Sequence, residues 1–310
     1  MLSKIPSNYF SSRKSYTDLR NDYFLSVEYL SRITKINRTS RLENYKSELD
    51  ELTYLDNPQG VVYEFSQKKL SAFLEAHQVI QTVSFLKKYL ESYGTLSDQN
   101  LSKLQSGTYA YFQSGNSDPS RDLFFELQIA SRFLDAGFKV DLSSRTDLLI
   151  DFEDHKFFVE CKRVSSEAQY KKRVKEGVKQ LEKRFTKGRT KEAGLVFASV
   201  TQILNPELGI LLAENTLKAS LELEQMCVQF ASKHLKTYYP DEIKALAHYT
   251  CLETPYFDEE LGRLGINISS YFRSFFKVEI NQKPADVIIW KRNKYFDIFE
   301  RLHKTLFAKG

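Results

Sequence analysis

The stretch Arg145-Thr146-Asp147-Leu148-Leu149-Ile150-Asp151-Phe152-Glu153-Asp154-His155-Lys156-Phe157-Phe158-Val159-Glu160-Cys161-Lys162-Arg163 decides the fold. An apolar run, Leu148 to Phe152, follows Asp147. A polar turn, Glu153 to Lys156, separates it from a second run, Phe157 to Val159, which leads into Glu160-Cys161-Lys162. This pattern predicts a tight β-hairpin. Side chains alternate along a strand with period two. Phe158, Glu160 and Lys162 therefore share one face, and Phe157, Val159 and Cys161 take the other. A core strand that ends on a carboxylate and an ammonium needs a reason, because burying unpaired charge is costly. A divalent metal held by Asp147 and Glu160, with Lys162 beside it, supplies one.

A bare Glu-x-Lys is a weak signal, and the chain contains others. Glu242-Ile243-Lys244 follows Tyr239-Pro240-Asp241, a turn signal, with no acidic strand before it. Asp154-His155-Lys156 falls at the hairpin tip, where charges are solvated. Only Glu160-Cys161-Lys162 follows a strand–turn–strand opened by an aspartate.

The preceding segment reads as a helix. Asp118-Pro119 is a start, with Asp as N-cap and Pro in the first turn, and Gly137 is the stop. Leu123, Leu127, Ala130 and Leu134 recur at helical spacing. At 3.6 residues per turn Glu126 falls inside their arc, between Ala130 and Phe133. An acid on the buried face of an apolar helix is an informative exception. The plain alternative is a solvated acid favoured by the helix dipole.

The order is helix with Glu126, strand Phe138 to Leu142, strand with Asp147, strand with Glu160 and Lys162, helix, strand Leu195 to Val200 within the apolar run Ala193 to Val200. It resembles the PD-(D/E)xK nuclease superfamily over roughly residues 118 to 204. Thr146-Asp147 stands where the family often has Pro-Asp, and Glu160-Cys161-Lys162 stands for its (D/E)-x-K element. The resemblance implies an α/β fold: a restriction-endonuclease-like αβββαβ core with a mixed sheet; the helical pattern ahead of it, taken below, adds an α-helical N-terminal domain. It also implies Mg²⁺ (or Mn²⁺) held by Asp147, Glu160 and the backbone oxygen of Cys161. Lys162 would sit at the scissile phosphate, and Glu126 would serve a second metal or its water shell. Asp151 has the strand parity of Asp147 and is the alternate ligand; Asp147 is preferred because it opens the strand, as in the family.

The most basic stretch follows. Ser165 or Ser166 can cap a helix running to about Thr186, with Val174, Val178, Leu181 and Phe185 as a narrow apolar stripe. Arg173, Lys175, Lys179, Lys183 and Arg184 surround it, with Lys171 and Lys172 before and Lys187, Arg189 and Lys191 after; Glu167, Glu176 and Glu182 offset only part of the charge. Such a helix is either a solvated face or a surface that tracks phosphates, which supply most sequence-independent affinity for nucleic acid. Gln180 lies beside the stripe. RecB-like members of the superfamily carry a Gln on this helix followed by an aromatic, and Gln180 with Phe185 is loosely similar, which makes Gln180 a phosphate-contact candidate.

From Tyr16 to about Tyr93 the pattern is helical. Leu42, Tyr45, Leu49 and Leu52 form one stripe, and Phe73, Ala76, Val83, Leu86 and Leu90 another; Asn57-Pro58-Gln59-Gly60 breaks them. These helices predict a domain over 1–115 that dimerises or shapes a substrate cleft. Residues 116–310 form the nuclease-like domain, with a helical insertion near 213–237. Further on, Glu214 to Leu235 reads as a long helix, Ala245 to Leu252 as a strand, Ile266 to Ile280 as an alternating aromatic-rich segment and Asp286 to Trp290 as a short strand. Phe272, Phe275, Phe276 and Trp290 read as core rather than as a base-stacking platform.

Composition narrows the function classes. Hydrophobic residues make up 42% of the 310, enough for a substantial core. Cys161, Cys227 and Cys251 form no Cys-x-x-Cys, so neither a disulfide framework nor a zinc site is expected, and a reducing cytoplasm fits. The 5 histidines form no cluster, which disfavours zinc-hydrolase and HNH chemistry. No signal region opens the chain and no apolar run approaches the ~20 residues that span a bilayer. The net charge of +5 decides less than its concentration after Lys162. Two functions follow. One is a metal-dependent nuclease, a DNA endonuclease in restriction or anti-phage defence, acting on DNA in preference to RNA, as a homo-oligomer or with a defence-system partner. The other is a non-catalytic nucleic-acid-binding or assembly protein that keeps the fold.

Overall fold

The computed structural model describes residues 4–6, 15–33, 40–56, 62–93, 103–104, 118–142, 146–185, 191–235, 246–274, 298 and 301–302. Two short strands, β1 (Lys4–Pro6) and β2 (Val62–Glu64), pair antiparallel. Around them come helices α1 (Tyr16–Ile33), α2 (Arg41–Leu52) and α3 (Gln67–Tyr93). Helix α2 starts at Ser40, whose hydroxyl accepts the Glu43 N–H. Its stripe Leu42, Tyr45, Leu49 and Leu52 is fully buried, as the spacing predicts. Helix α4 (Pro119–Asp135) follows, then β3 (Lys139–Asp141), β4 (Leu148–Phe152), β5 (His155–Arg163) and α5 (Glu167–Glu182). After these come β6 (Glu192–Ser199), α6 (Thr201–Leu204), β7 (Leu211–Ala213), α7 (Thr216–Leu235), β8 (Leu246–Asp258) and β9 (Arg263–Ser274).

Strands β3 to β9 form one seven-stranded mixed sheet. Pairing is antiparallel from β3 to β4 to β5, parallel from β5 to β6 to β8, and antiparallel from β8 to the outer β9. The apolar residues of α1, α2, α3 and α4 form one continuous core with Leu148, Ile150, Phe157 and Val159 on one face of the sheet. A second core on the opposite face gathers Tyr170, Val174, Val178 and Leu181 of α5 with Leu223 and Cys227 of α7. The predicted helical insertion is therefore a covering helix. Phe197 of β6 and Tyr249 of β8 stack with centroids 4.4 Å apart, a contact worth about 0.5–1.5 kcal/mol beyond its buried area.

A buried ion cluster ties the N-terminal helices to α4. Arg41 of α2 reaches Glu75 of α3 at 2.6 Å and the Ser120 hydroxyl of α4 at 2.5 Å, while Arg121 of α4 bonds the other Glu75 oxygen at 3.1 Å. Burial alone would push the Glu75 carboxyl up, but the two guanidiniums outweigh it and hold it below the usual range.

Several boundaries differ from the sequence pattern. The hairpin turn is only Glu153-Asp154, because Lys156 and His155 already pair with Asp151 and Phe152. Glu153 takes φ +53° there, and Arg301 clasps its carboxylate with two nitrogens. Helix α5 ends at Glu182, short of Thr186, and α7 begins at Thr216 rather than Glu214. Strand β8 runs 13 residues, well past Leu252, although it contains Pro255. The reason is local. Strand β6 pairs with β8 as far as Cys251 and β7 joins at Tyr256, so Pro255 lies in the gap and withdraws no N–H from either ladder. The Glu242 to Lys244 motif, residues 275–280, Asp286 to Trp290, and the side chains of Phe272, Phe275, Phe276 and Trp290 lie outside the described residues. Among the described residues no helix is long and apolar enough to cross a membrane.

Candidate active-site cleft

Helix α4 is set by its ends. Asp118 accepts the Arg121 N–H at 3.1 Å, Pro119 occupies the first turn, and Gly137 takes φ +90°, which a side chain would resist. Because α4 buries Leu123, Leu127 and Ala130 against the sheet, Glu126 is carried, half-buried, to the strand ends where Asp147 and Lys162 stand. Its carboxyl is pushed up to about 8, first by burial and then by the charge of Asp147, with Lys162 opposing.

Asp147 stands just before β4. The Thr146 hydroxyl donates to the Leu148 carbonyl at 2.9 Å, a local bond that turns the chain into the strand. Oδ2 of Asp147 accepts the Cys161 N–H at 2.6 Å. Since β4 begins only at Leu148, the carboxylate stands where a strand carbonyl would have accepted that N–H. In an extended strand the N–H and C=O of one residue face the same edge, so the Cys161 carbonyl faces the same side as Asp147. Burial raises the Asp147 carboxyl; Lys162, the Cys161 N–H and Arg184 draw it down without cancelling the rise.

Glu160 and Lys162 share the α5 face of β5, as alternation predicts. Glu160 is 3% exposed, and its Oε2 accepts from Lys162 Nζ at 2.9 Å; the same Nζ is 3.8 Å from Asp147 Oδ2. Burial and the Asp147 charge raise the Glu160 carboxyl against the pull of Lys162. For Lys162, burial works against its charge, but Asp147 and Glu160 outweigh it and keep the ammonium protonated. One cation thus balances the nearest two of three acids.

Helix α5 approaches closely because residue 177 is glycine. A Cβ there would lie 3.0 Å from a Val196 methyl and 3.8 Å from the Glu160 Cβ. The helix can therefore form one wall of an open cleft of about 510 Å³ bounded by Asp122, Glu126, Asp147, Cys161, Lys162, Arg163, Arg173, Glu176, Lys179, Gln180 and Lys183. Eight of the predicted site residues line this cleft: Glu126, Asp147, Cys161, Lys162, Arg173, Lys179, Gln180 and Lys183. Glu160 is bonded to Lys162 beside it, and Arg184 is near enough to draw on both Asp147 and Glu160. Lys175 is exposed and is not part of the cleft wall. Asp151 pairs with Lys156 beside the hairpin tip, four residues or ~13 Å along the chain from Asp147, so it does not serve as the alternate ligand. Asp122 and Arg163 are cleft residues that sequence reasoning missed. The signal was present: Asp122 precedes Glu126 by one helical turn, and Arg163 adjoins Lys162.

The donors suit a hard cation, being carboxylate oxygens and a strand carbonyl. Among the described residues no three acidic, histidine or cysteine side chains form a ready protein-only cage. A cation that keeps most of its own waters does not need one. Comparison of the chain with protein-family models, with curated proteins and with solved structures finds no match.

Proposed function

We propose that this chain is a metal-dependent nuclease of the PD-(D/E)xK, restriction-endonuclease-like type. It would be a cytoplasmic phosphodiesterase acting on DNA in preference to RNA, in restriction or anti-phage defence. The observation that carries this reading is that Asp147, Glu160 and Lys162 converge beside a cleft whose other wall is a basic helix. The succession α4, β3, β4, β5, α5, β6 supports it, because each expected element occurs in the expected order.

Asp147, Glu160 and the Cys161 carbonyl would hold Mg²⁺ or Mn²⁺, with Glu126 toward its waters. When bound, the metal would activate a water and stabilise charge developing on the phosphoryl group. Lys162, fixed by two carboxylates, would orient that water and add positive charge at the phosphate. The Glu126 carboxyl, pushed up to about 8 by burial and by Asp147, faces the cleft and would exchange a proton there. Arg173, Lys179, Gln180 and Lys183 would grip the backbone on either side.

The test is nicking of supercoiled plasmid by the wild-type chain in Mg²⁺ and in EDTA. Nicking that needs the metal supports the reading. An uncut plasmid together with salt-sensitive DNA binding assigns the chain to the non-catalytic binding class. A helical domain at the N-terminus offers a place for a second copy or a defence partner, and sedimentation of the full chain distinguishes these.

A further inference from the structure

The cleft holds an ion pair between its strand and α4 sides that the proposed chemistry does not use. Arg163 closes β5 and, by alternation, points to the α4 side, away from Lys162. Its Nη1 lies 3.4 Å from Oδ1 of Asp122; the Arg163 side chain is 8% exposed and the Asp122 side chain 44% exposed. That separation is long for a charged pair, which closes to about 2.7–2.9 Å when well formed. By contrast Lys162 and Glu160 stand at 2.9 Å. Arg173, on the opposite wall, is held instead by Glu176 at 3.1 Å. Asp122 is thus the anion set loosely against the nearly buried Arg163, and both line the cleft.

A guanidinium that holds a carboxylate this loosely can hold a phosphate instead, since the planar fork matches phosphate as well as carboxylate. We propose that Asp122 is an internal substitute for a backbone phosphate, and that a nucleic-acid phosphodiester displaces it from Arg163 as the substrate enters. The exchange swaps one anion for another and moves no proton or covalent bond. It keeps weak anions out, because a ligand must compete with a tethered carboxylate, and it makes Arg163 a positioning residue for the phosphate next to the scissile one. This inference rests on the proposed nuclease cleft and names how that cleft admits its substrate.

The experiment is a binding series across salt in EDTA, where no cleavage occurs, using a fluorescently labelled DNA duplex and the full chain. Asp122→Asn removes the competing charge at constant shape. It should bind about 3- to 10-fold more tightly, with a salt slope steeper by roughly one unit. Arg163→Gln should bind about 5- to 30-fold more weakly, with a slope shallower by roughly one unit. Opposite signs distinguish an exchange from a structural defect, which would weaken both variants. Arg163→Lys keeps the charge and should retain most of the slope. Shifts of the same sign in Asp122→Asn and Arg163→Gln, or slopes equal to wild type in both, overturn the proposal. The plasmid test of the nuclease reading uses only wild-type protein, so the two can fail separately.

Discussion

The Cys161 N–H donates a 2.6 Å hydrogen bond to Oδ2 of Asp147. This bond joins the start of one strand to the end of its neighbour, 14 residues apart along the chain. It fixes the carboxylate's rotamer, turns it toward Lys162, and sets the edge to which the Cys161 carbonyl points. The acid that would hold a metal is thus pre-oriented by the sheet itself, without a loop to order first.

Asp147→Ala and Glu160→Ala should each reduce Mg²⁺-dependent cleavage by roughly 100- to 1000-fold, the scale of losing one electrostatic contributor at a reacting centre. Far-UV circular dichroism should stay that of wild type. Cleavage within threefold of wild type in both variants would remove these residues from the site.

Glu126→Gln should fold normally and lower turnover by about 10- to 100-fold. The reason is that it keeps the volume and the neutral form's shape while removing the ability to give up a proton and become charged. Single-turnover cleavage and a thermal melt decide it. Unchanged turnover would make Glu126 a half-buried structural acid.

Helix α5 separates binding from chemistry. Lys179→Gln with Lys183→Gln should flatten the salt dependence of DNA affinity by roughly two units, at about 0.9 per duplex phosphate. Lys175→Gln should change it little, because that side chain is not on the cleft wall. Lys162→Ala should leave affinity and slope near wild type while turnover collapses. Binding in Ca²⁺ across salt gives all three comparisons. An equal effect of Lys175 and Lys179 would mean that DNA lies outside the cleft.

Glu253 governs a pH effect on stability. Its carboxyl accepts from Gln78 at 2.6 Å and Gln128 at 3.1 Å, and burial pushes it up to about 7 despite both amides and Arg132. The folded protein therefore holds a proton that the unfolded chain releases near pH 4.5. The resulting stability is fully present below about 4.5 and is lost as pH rises through about 7. The range corresponds to about 3 kcal/mol at 1.36 kcal/mol per pKa unit. Glu253→Gln should flatten the urea-unfolding stability over this window and exceed wild type at pH 8. A wild-type slope in the variant would contradict the assignment.

Glu75 is the opposite case. Glu75→Ala leaves Arg41 and Arg121 without their shared buried anion and should cost about 3–5 kcal/mol. Urea unfolding near pH 7 measures it. A loss below 1 kcal/mol would show that the cluster relaxes onto other partners.

What the sequence disclosed was local. Asp118, Pro119 and Gly137 bound α4 by rules that act over four residues. Alternation from Phe157 to Lys162 placed Glu160 and Lys162 together, and the apolar arc of α4 placed Glu126. What it did not disclose depends on partners distant in the chain. Arg41, Glu75 and Arg121 are each unremarkable surface-type residues until three helices meet. Pro255 looks like a strand breaker until the gap between β6 and β7 is known. Lys175 and Lys179 have the same chemistry and differ only in which side of α5 the Val196 contact at Gly177 turns inward.

The contact between Gln78 and Glu253 spans 175 residues of chain. A ribosome adding about 5–20 residues per second takes roughly 9–35 s to cover that interval. Through that time α3 has been made and its partner on β8 has not. Gln128 emerges earlier but can offer only its own amide. The face of α3 that carries Gln78 must therefore stay soluble, or be sheltered by α1 and α2, until nearly the whole sheet has been synthesised.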